Sequence, residues 1–431
     1  MNAHTADSLA ASQSNESPWA ESLRGLDVRA VAPRSPEVAT DACTSPEAAL
    51  AAAGGVPCSA PASPLLVALN DPDRATRSVP ALAAIRAAVG EREIRVVVAT
   101  GSHAFDETTR KAHEAPLRAV AGDVAFRWHS GGGAGGGSDG TDGTDGEHAH
   151  VGGRHCDPWL AAAQDVVAIG SVEPHWFAGL TGSYKTLSVG LIARADIAKS
   201  HVFALEVAAR PLVLVGNPVH EEIVRTMDAL LEGRSVVALD HLGEQWVAGS
   251  PVDNLHALLP IARERWGCAV EKPLDFLVAR VLPPLDGVLY QAEKGLKNSE
   301  HAVRDGGVIV IDAACERGVG PRRFMDLLAR APDEAAARAL IDIEGYRLGD
   351  HKAVRLRALQ GRGVAIGVVA PTFPRADAHV AGIRVLADRA EAAAFIKTHV
   401  GDGASGVFLE DGAHTVVHLQ KHVNEQGQAC S

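Results

Sequence analysis

The sequence predicts an α/β protein of two domains with mostly parallel sheets. Three observations carry this. Short apolar runs such as SPLLVALND (63–71) and EIRVVVATGSH (93–103) alternate with amphipathic stretches, the pattern of strands covered on both faces by helices. The runs end at polar or glycine-bearing loops. The chain is 431 residues long, beyond the usual size of one domain, and its composition changes near 266–274 (WGCAVEKPL).

In order along the chain, residues 1–62 are rich in Ala, Ser, Pro and acid with poor periodicity. They read as a poorly ordered lead-in, the first twenty as disordered, with a short helix over 46–54 ended by glycine. The first α/β domain is placed at 63–268. Its buried strands begin at 63 and 93, continue with DVVAIGSVEPH (165–175), and recur as the apolar run opening PLVLVGNPVHEEIVRTMDALLEG (211–233). That last segment turns at Gly216-Asn217-Pro218 and continues as an amphipathic helix, with His220 in its first turn as a structural residue. Between them, 130–155 is a glycine-rich insertion read as a flexible surface loop. Its His148, His150 and His155, with Asp139, Asp142 and Asp145, form a loose candidate set for a divalent metal. The second α/β domain is placed at 273–422. Its strands are 275–284, 306–315, 364–371 and 383–388, and its helices 322–341 and 389–400.

Composition excludes several classes. Lys and Arg number 41 against 53 acids, a net charge of −12, which argues against a nucleic-acid backbone as partner. No apolar run reaches the roughly 18 residues of a membrane span, and the N-terminus lacks the apolar core of a secretory signal. The six cysteines are scattered without a CxxC pair, as expected of reduced thiols in a cytoplasmic protein.

Ligands of such folds collect outside the carboxyl ends of the strands, and chemically able residues stand there. Asn70-Asp71-Pro72-Asp73-Arg74 is either a polar turn or a clamp in which arginine grips a carboxylate or phosphate. His103 in ATGSH is either a hydrogen-bonded loop residue or a proton-transfer group. VEPHWFAGLTGSYKTLSVGLIARADIAKSH (172–201) gathers His175, Lys185 and His201 around several glycines. Its lysine suits a phosphate or a covalent link to a cofactor, although the GxxxxGK[ST] order of a Walker loop is absent. Tyr184 either bonds a substrate or packs. In the second domain Gln291 and Lys294 of YQAEKG lie three apart, one face of a helix, while LGDHKA (348–353) is open to either reading.

Taken together, NDPDR (70–74), ATGSH (99–103), VEPHWFAGLTGSYK (172–185), His201, GNPVHEE (216–222), YQAEKG (290–295) and LGDHKA (348–353) resemble the lactate racemase family, in that family's order. The resemblance implies an active site in the cleft between the two domains and an isomerase that racemises or epimerises a 2-hydroxy acid. It implies a nickel-pincer nucleotide, a pyridinium-3,5-bisthiocarboxylic acid mononucleotide carrying nickel. By position, Lys185 matches the lysine joined to this cofactor and His201 the nickel ligand. His103 and His175 match the acid/base pair. Asp71 and Arg74 match the strand-end motif near cofactor and substrate, and Gln291 and Lys294 reach the site from the second domain. Two histidines suit a reaction in which hydride leaves carbon while a base takes the hydroxyl proton, and imidazole with sulfur suits nickel. The implied partners are a small 2-hydroxy acid and the proteins that synthesise the cofactor.

The chain departs from the family where Ser188-Val189 stand in place of the usual Leu-Pro, and in the glycine-rich insertion. These differences point to a larger or more polar 2-hydroxy acid at least as much as to lactate. The alternatives are a non-catalytic nickel or cofactor carrier and, more remotely, a pyridoxal-phosphate racemase with Lys185 as its Schiff-base lysine.

Overall fold

The computed structural model describes residues 19–35, 43–131 and 147–420. The first half of the chain builds a six-stranded sheet in the order Gln245–Gly249, Ser235–Leu242, Asp165–Ser171, Leu65–Asn70, Ile94–Ala99, Ala125–Trp128. All neighbours are parallel except the first pair, a hairpin. The central strands read as continuous apolar runs because both faces are covered. Leu65, Val67 and Leu69 pack under helices Pro46–Ala52 and Ser78–Val89. Leu66 and Ala68 point the other way, toward Pro218–Leu231 and Pro251–Trp266, as the two-residue period of a strand requires.

A second six-stranded sheet, parallel throughout, has the order Asp27–Val31, Ser405–Leu409, Leu274–Arg280, Val303–Asp312, Ala365–Val369, Arg384–Leu386. The α/β architecture with mostly parallel sheets is as the alternation predicts. No helix among the described residues is long and apolar enough to cross a membrane.

Three local expectations need correction. Part of the lead-in is ordered structure: Asp27–Val31 forms an edge strand of the second sheet, and the buried Trp19 donates its indole N–H to Asp312 at 2.7 Å. The apolar run 211–215 is not a strand. Leu212 has φ +57, and Asn217 Nδ2 reaches the carbonyls of Phe177, Val213 and Arg210 at 3.0, 3.0 and 3.1 Å, satisfying backbone that would otherwise need a neighbouring strand. The helix expected over 322–341 is two, Arg322–Arg330 and Glu334–Glu344. Pro332 cannot continue the first, and Asp333 caps the second through Ala336 N–H. Of the glycine-rich insertion, a small hairpin pairs Ala149–Val151 with Arg154–Cys156. Asp139, Asp142 and Asp145 lie outside the described residues, as do residues 1–18.

Chain order in the first sheet runs outward from Leu65–Asn70 through Ile94–Ala99 to Ala125–Trp128. It then returns to the opposite side with Asp165–Ser171. This reversal opens a crevice at the carboxyl edge, between the ends of Leu65–Asn70 and Asp165–Ser171. The short helix Ser183–Leu187 lies directly over it. Ser183 donates its N–H to Asp240 Oδ1 at 2.7 Å and its hydroxyl to Oδ2 at 2.6 Å, and Asn254 Nδ2 adds a third bond at 3.0 Å. Burial still pushes the Asp240 carboxyl up to about 6. The helix comes so close that a Cβ at Gly170 would stand 2.3 Å from Ser183 N.

Gly170→Ala should therefore destabilise the first half, at the upper end of the ~1–3 kcal/mol typical of overpacking. Gly361→Ala, whose Cβ meets nothing within 4 Å, should not. Urea denaturation of both variants makes the comparison, and equal midpoints would show that the helix does not press on the strand.

Candidate active site

The carboxyl ends of three adjacent strands deliver four of the residues singled out in the sequence. Asn70 ends the first of these strands, and its side chain ties the loop to the short helix by donating to Thr186 Oγ1 at 2.9 Å. Asp71 follows, 4% exposed, with one oxygen accepting Asp73 N–H at 3.0 Å and the other 3.0 Å from His103 Nδ1. A carboxylate can only accept, so it holds the imidazole proton on Nδ1 and leaves the Nε2 lone pair free. Asp73 Oδ2 is 3.7 Å from the same nitrogen. Arg74 stands beside this pair, its nearest carboxylate being Glu173 at 3.9 Å.

His175 follows the third strand. Its Nδ1 accepts the Ala178 N–H at 3.2 Å, which places the proton of the neutral ring on Nε2. Burial, with the positive charges of Lys185, Arg74 and Lys294, holds this imidazole well below its ordinary pKa. Phe177 stands edge-on to it at 4.4 Å and to His201 at 5.0 Å.

Lys185 has no hydrogen bond or ion pair among the described residues, and its Nζ lies 6.0 Å from the centroid of the Phe177 ring. Burial, then Arg74 and Lys294, hold its ammonium well below the usual lysine range, which makes the nucleophilic amine easier to reach than in an exposed lysine. His201 closes helix Arg194–His201. The Ser200 hydroxyl donates to Ile197 O at 3.0 Å and accepts from His201 Nδ1, also at 3.0 Å, so Nε2 is left with its lone pair. Burial first and Lys185 second push this imidazole down to about 3. An unprotonated imidazole in a cavity is the form that ligates a metal.

Gln291 and Lys294 come from two single helical turns, Leu289–Ala292 and Lys294–Lys297, rather than one helix, yet both line the same cavity. Burial, then Arg74 and Lys352, lower Lys294 to about 7. All eight residues singled out in the sequence, Asp71, Arg74, His103, His175, Lys185, His201, Gln291 and Lys294, thus line one cavity that both halves of the chain enclose.

The ambiguous LGDHKA stretch belongs there too. Leu348, His351 and Lys352 line the cavity, with His351 packed 5.5 Å from Trp176 and 5.1 Å from Phe177. Tyr346 O–H meets its Nδ1 at 2.5 Å. Lys352 pairs with Glu293 at 2.8 Å and sits 3.8 Å from the centroid of the Tyr290 ring. Trp176 and Phe177 were visible inside VEPHWF, but only the fold puts their rings against His351. Tyr184 packs: its hydroxyl donates to Leu180 O at 2.9 Å, and it does not line the cavity. Ser188 takes the place of a Leu by bonding Tyr184 O at 2.6 Å, and Gly190 N–H closes the turn on Lys185 O at 2.8 Å. Of the insertion's histidines, His155 is taken up by Asp196 at 3.1 Å. The described residues whose ligand atoms gather within 4.8 Å of one another are instead Asp71, Asp73 and His103.

The family model described as the lactate racemase C-terminal domain matches residues 279–344. The lactate racemase of Thermoanaerobacterium thermosaccharolyticum is 29% identical over 183 residues, 38% of this chain and 40% of that protein. That of Lactiplantibacillus plantarum is 28% identical over 185 residues, 40% of this chain and 42% of that protein. In sequence, therefore, the chain is similar to lactate racemases over these stretches. The aligned stretch spans about two fifths of these curated relatives' length. In fold, the lactate racemase apoprotein from T. thermosaccharolyticum superposes with a TM-score of 0.72 at 20% identity, over 88% of this chain and 94% of that one. A Thermotoga maritima protein superposes with a TM-score of 0.61 at 12% identity, over 87% and 97%. The lysine of the Gly-Ser-Tyr-Lys turn lines the cavity, and Ser188 supplies the hydrogen bond that steadies the turn beyond it.

The crowding of Arg74, Lys185 and Lys294 is testable without a cofactor. In [ε-13C]lysine-labelled protein Lys294 should titrate near 7. Arg74→Met should raise that midpoint by about one unit, the effect of losing one nearby cation. An unchanged midpoint would mean that burial alone sets it.

Proposed function

We propose that this protein inverts the configuration at C2 of a 2-hydroxy acid with a nickel-pincer nucleotide as its cofactor. The observation that carries the reading is the convergence of two histidines, an unpartnered lysine and a neutral His201 on one cation-lined cavity. The donor set fits the cofactor. Lys185 offers an amine able to form a covalent link, and His201 Nε2 offers a neutral imidazole suited, with sulfur, to nickel. When bound, the cofactor supplies a reversible acceptor for the C2 hydride.

The chain's own residues do the rest. Arg74 and Lys294 hold the substrate carboxylate, the first as a planar fork and the second as a point charge. Anion binding favours the charged form of Lys294, so the carboxylate grip weakens as pH rises past that group's pKa. His103 takes the hydroxyl proton at Nε2, and Asp71 stabilises the imidazolium that forms, as in other carboxylate–histidine pairs. Loss of hydride and proton leaves a planar 2-oxo acid, which can be reduced on either face. His175 stands in the other tautomer, with Nε2–H ready to polarise the substrate oxygen. To act as a base it moves its proton to Nδ1 and gives up the bond from Ala178. Phe177 and Trp176 exclude water from this exchange.

In protein made in cells that synthesise the cofactor, His103→Ala and His175→Ala should each lower kcat by roughly 10²–10⁴. Both should retain a cofactor-plus-nickel mass by native mass spectrometry, and Lys185→Ala should lose the mass that survives denaturation. Full activity in either histidine variant would sink the paired mechanism. Retained cofactor with no turnover of any 2-hydroxy acid by the unaltered protein would identify a carrier.

A further inference from the structure

Beside the cavity a second chamber opens between the 173–176 turn and the 282–288, 298 and 411–414 segments, and it shares His103, His175, Gln291 and Lys294 with the first. We infer that the substrate is an aldonic acid, a sugar acid hydroxylated beyond C2, whose polyol tail lies in this chamber; this rests on the proposed C2 inversion.

The argument starts at Asn298, which lines the chamber and is 2% exposed. Its Nδ2 donates to Ala413 O, an atom that can only accept, so the orientation of the amide is fixed. Its Oδ1 is then left without a partner among the described residues. A buried amide oxygen without a donor is costly, and a ligand hydroxyl supplies one. Glu173 adds a second acceptor, since its nearest cation, Arg74, is 3.9 Å away. His414 supplies the complement. Its Nδ1 meets Asp411 at 2.9 Å, so Nε2, at the chamber it lines, accepts from a hydroxyl in the neutral ring and donates to one in the charged ring.

Two acceptors and an imidazole nitrogen that can accept or donate match hydroxyl groups, which both give and take hydrogen bonds. A second carboxylate would face Glu173, Asp411 and the Asn298 oxygen; of the cations lining the chamber, Arg74 and Lys294 hold the C1 carboxylate and Arg317 is exposed. The methyl of lactate, or an aryl tail, would leave Asn298 and Glu173 without partners.

The test offers cofactor-loaded protein gluconate, lactate, malate and phenyllactate. Epimer formation is followed by NMR, and binding by calorimetry. Gluconate should be preferred over lactate by at least about tenfold in kcat/KM, and Asn298→Leu should cut the gluconate value about tenfold or more while affecting lactate far less. Glu173→Gln, which keeps the shape of the side chain, should reproduce the selective loss if Asn298→Leu misfolds. Preference for malate, phenyllactate or lactate, or equal losses on gluconate and lactate, would overturn the inference and leave the C2 reaction standing. Asn298-dependent binding of gluconate without turnover of any compound would support the chamber's assignment and overturn the reaction. Neither binding nor turnover of gluconate would overturn the aldonic acid.

Discussion

Three cations, Arg74, Lys185 and Lys294, share one buried cavity, and the rest of the site is arranged around their mutual repulsion. Each lowers the charge its neighbours can carry: Lys185 and Lys294 are both pushed down by burial and by Arg74. Like charges brought this close in a low-dielectric pocket persist only if one loses its proton or an anion joins them. The cavity uses both routes. Its lysines are pushed toward the neutral amine, and the positive charge that remains favours anionic ligands. Burial first, and neighbouring positive charge second, lower the pKa of both His175 and His201, which favours the neutral imidazole in each.

Holding such a cavity shut requires the two halves of the chain to be fastened against each other. Arg355 does much of this. Its guanidinium donates to Ala209 O at 3.0 Å, pairs with the buried Glu300 at 2.7 Å, and covers Trp176 at 4.8 Å from the ring. Trp176 in turn backs His351. The polar cross-link therefore carries the aromatic wall of the site. Breaking such a buried pair leaves an uncompensated charge, so its role is to fix relative position. On the other side, Asp240 and Gly170 set the height of the Lys185 helix above the sheet, one by accepting three hydrogen bonds and the other by having no side chain.

Much of this was legible in the sequence, and the reasons are local. Central strands announced themselves because burial on both faces demands continuous apolar runs, and reactive residues stood where those runs stopped. What the sequence concealed depends on partners distant in the chain. DVRAV (27–31) is short and partly exposed, and only pairing with Ser405–Leu409 makes it a strand. PLVLV looked like a strand because hydrophobic pattern cannot reveal that Asn217 satisfies its carbonyls. The roles suggested for His103, His175, Lys185 and His201 came from resemblance to a family. The pairing of Asp71 with His103, the tautomer of His175 and the stranded oxygen of Asn298 came only from geometry.

The account stands on a site whose bases face the hydroxyl proton, with the C2 hydrogen leaving as hydride. The most direct measurement is the fate of deuterium at C2 when a deuterated 2-hydroxy acid is inverted by the loaded protein in ordinary water. Retention of the label in the product of opposite configuration is the expected result. Its replacement by solvent hydrogen, in step with inversion, would mean that a side-chain base removes the C2 proton, and would contradict the account.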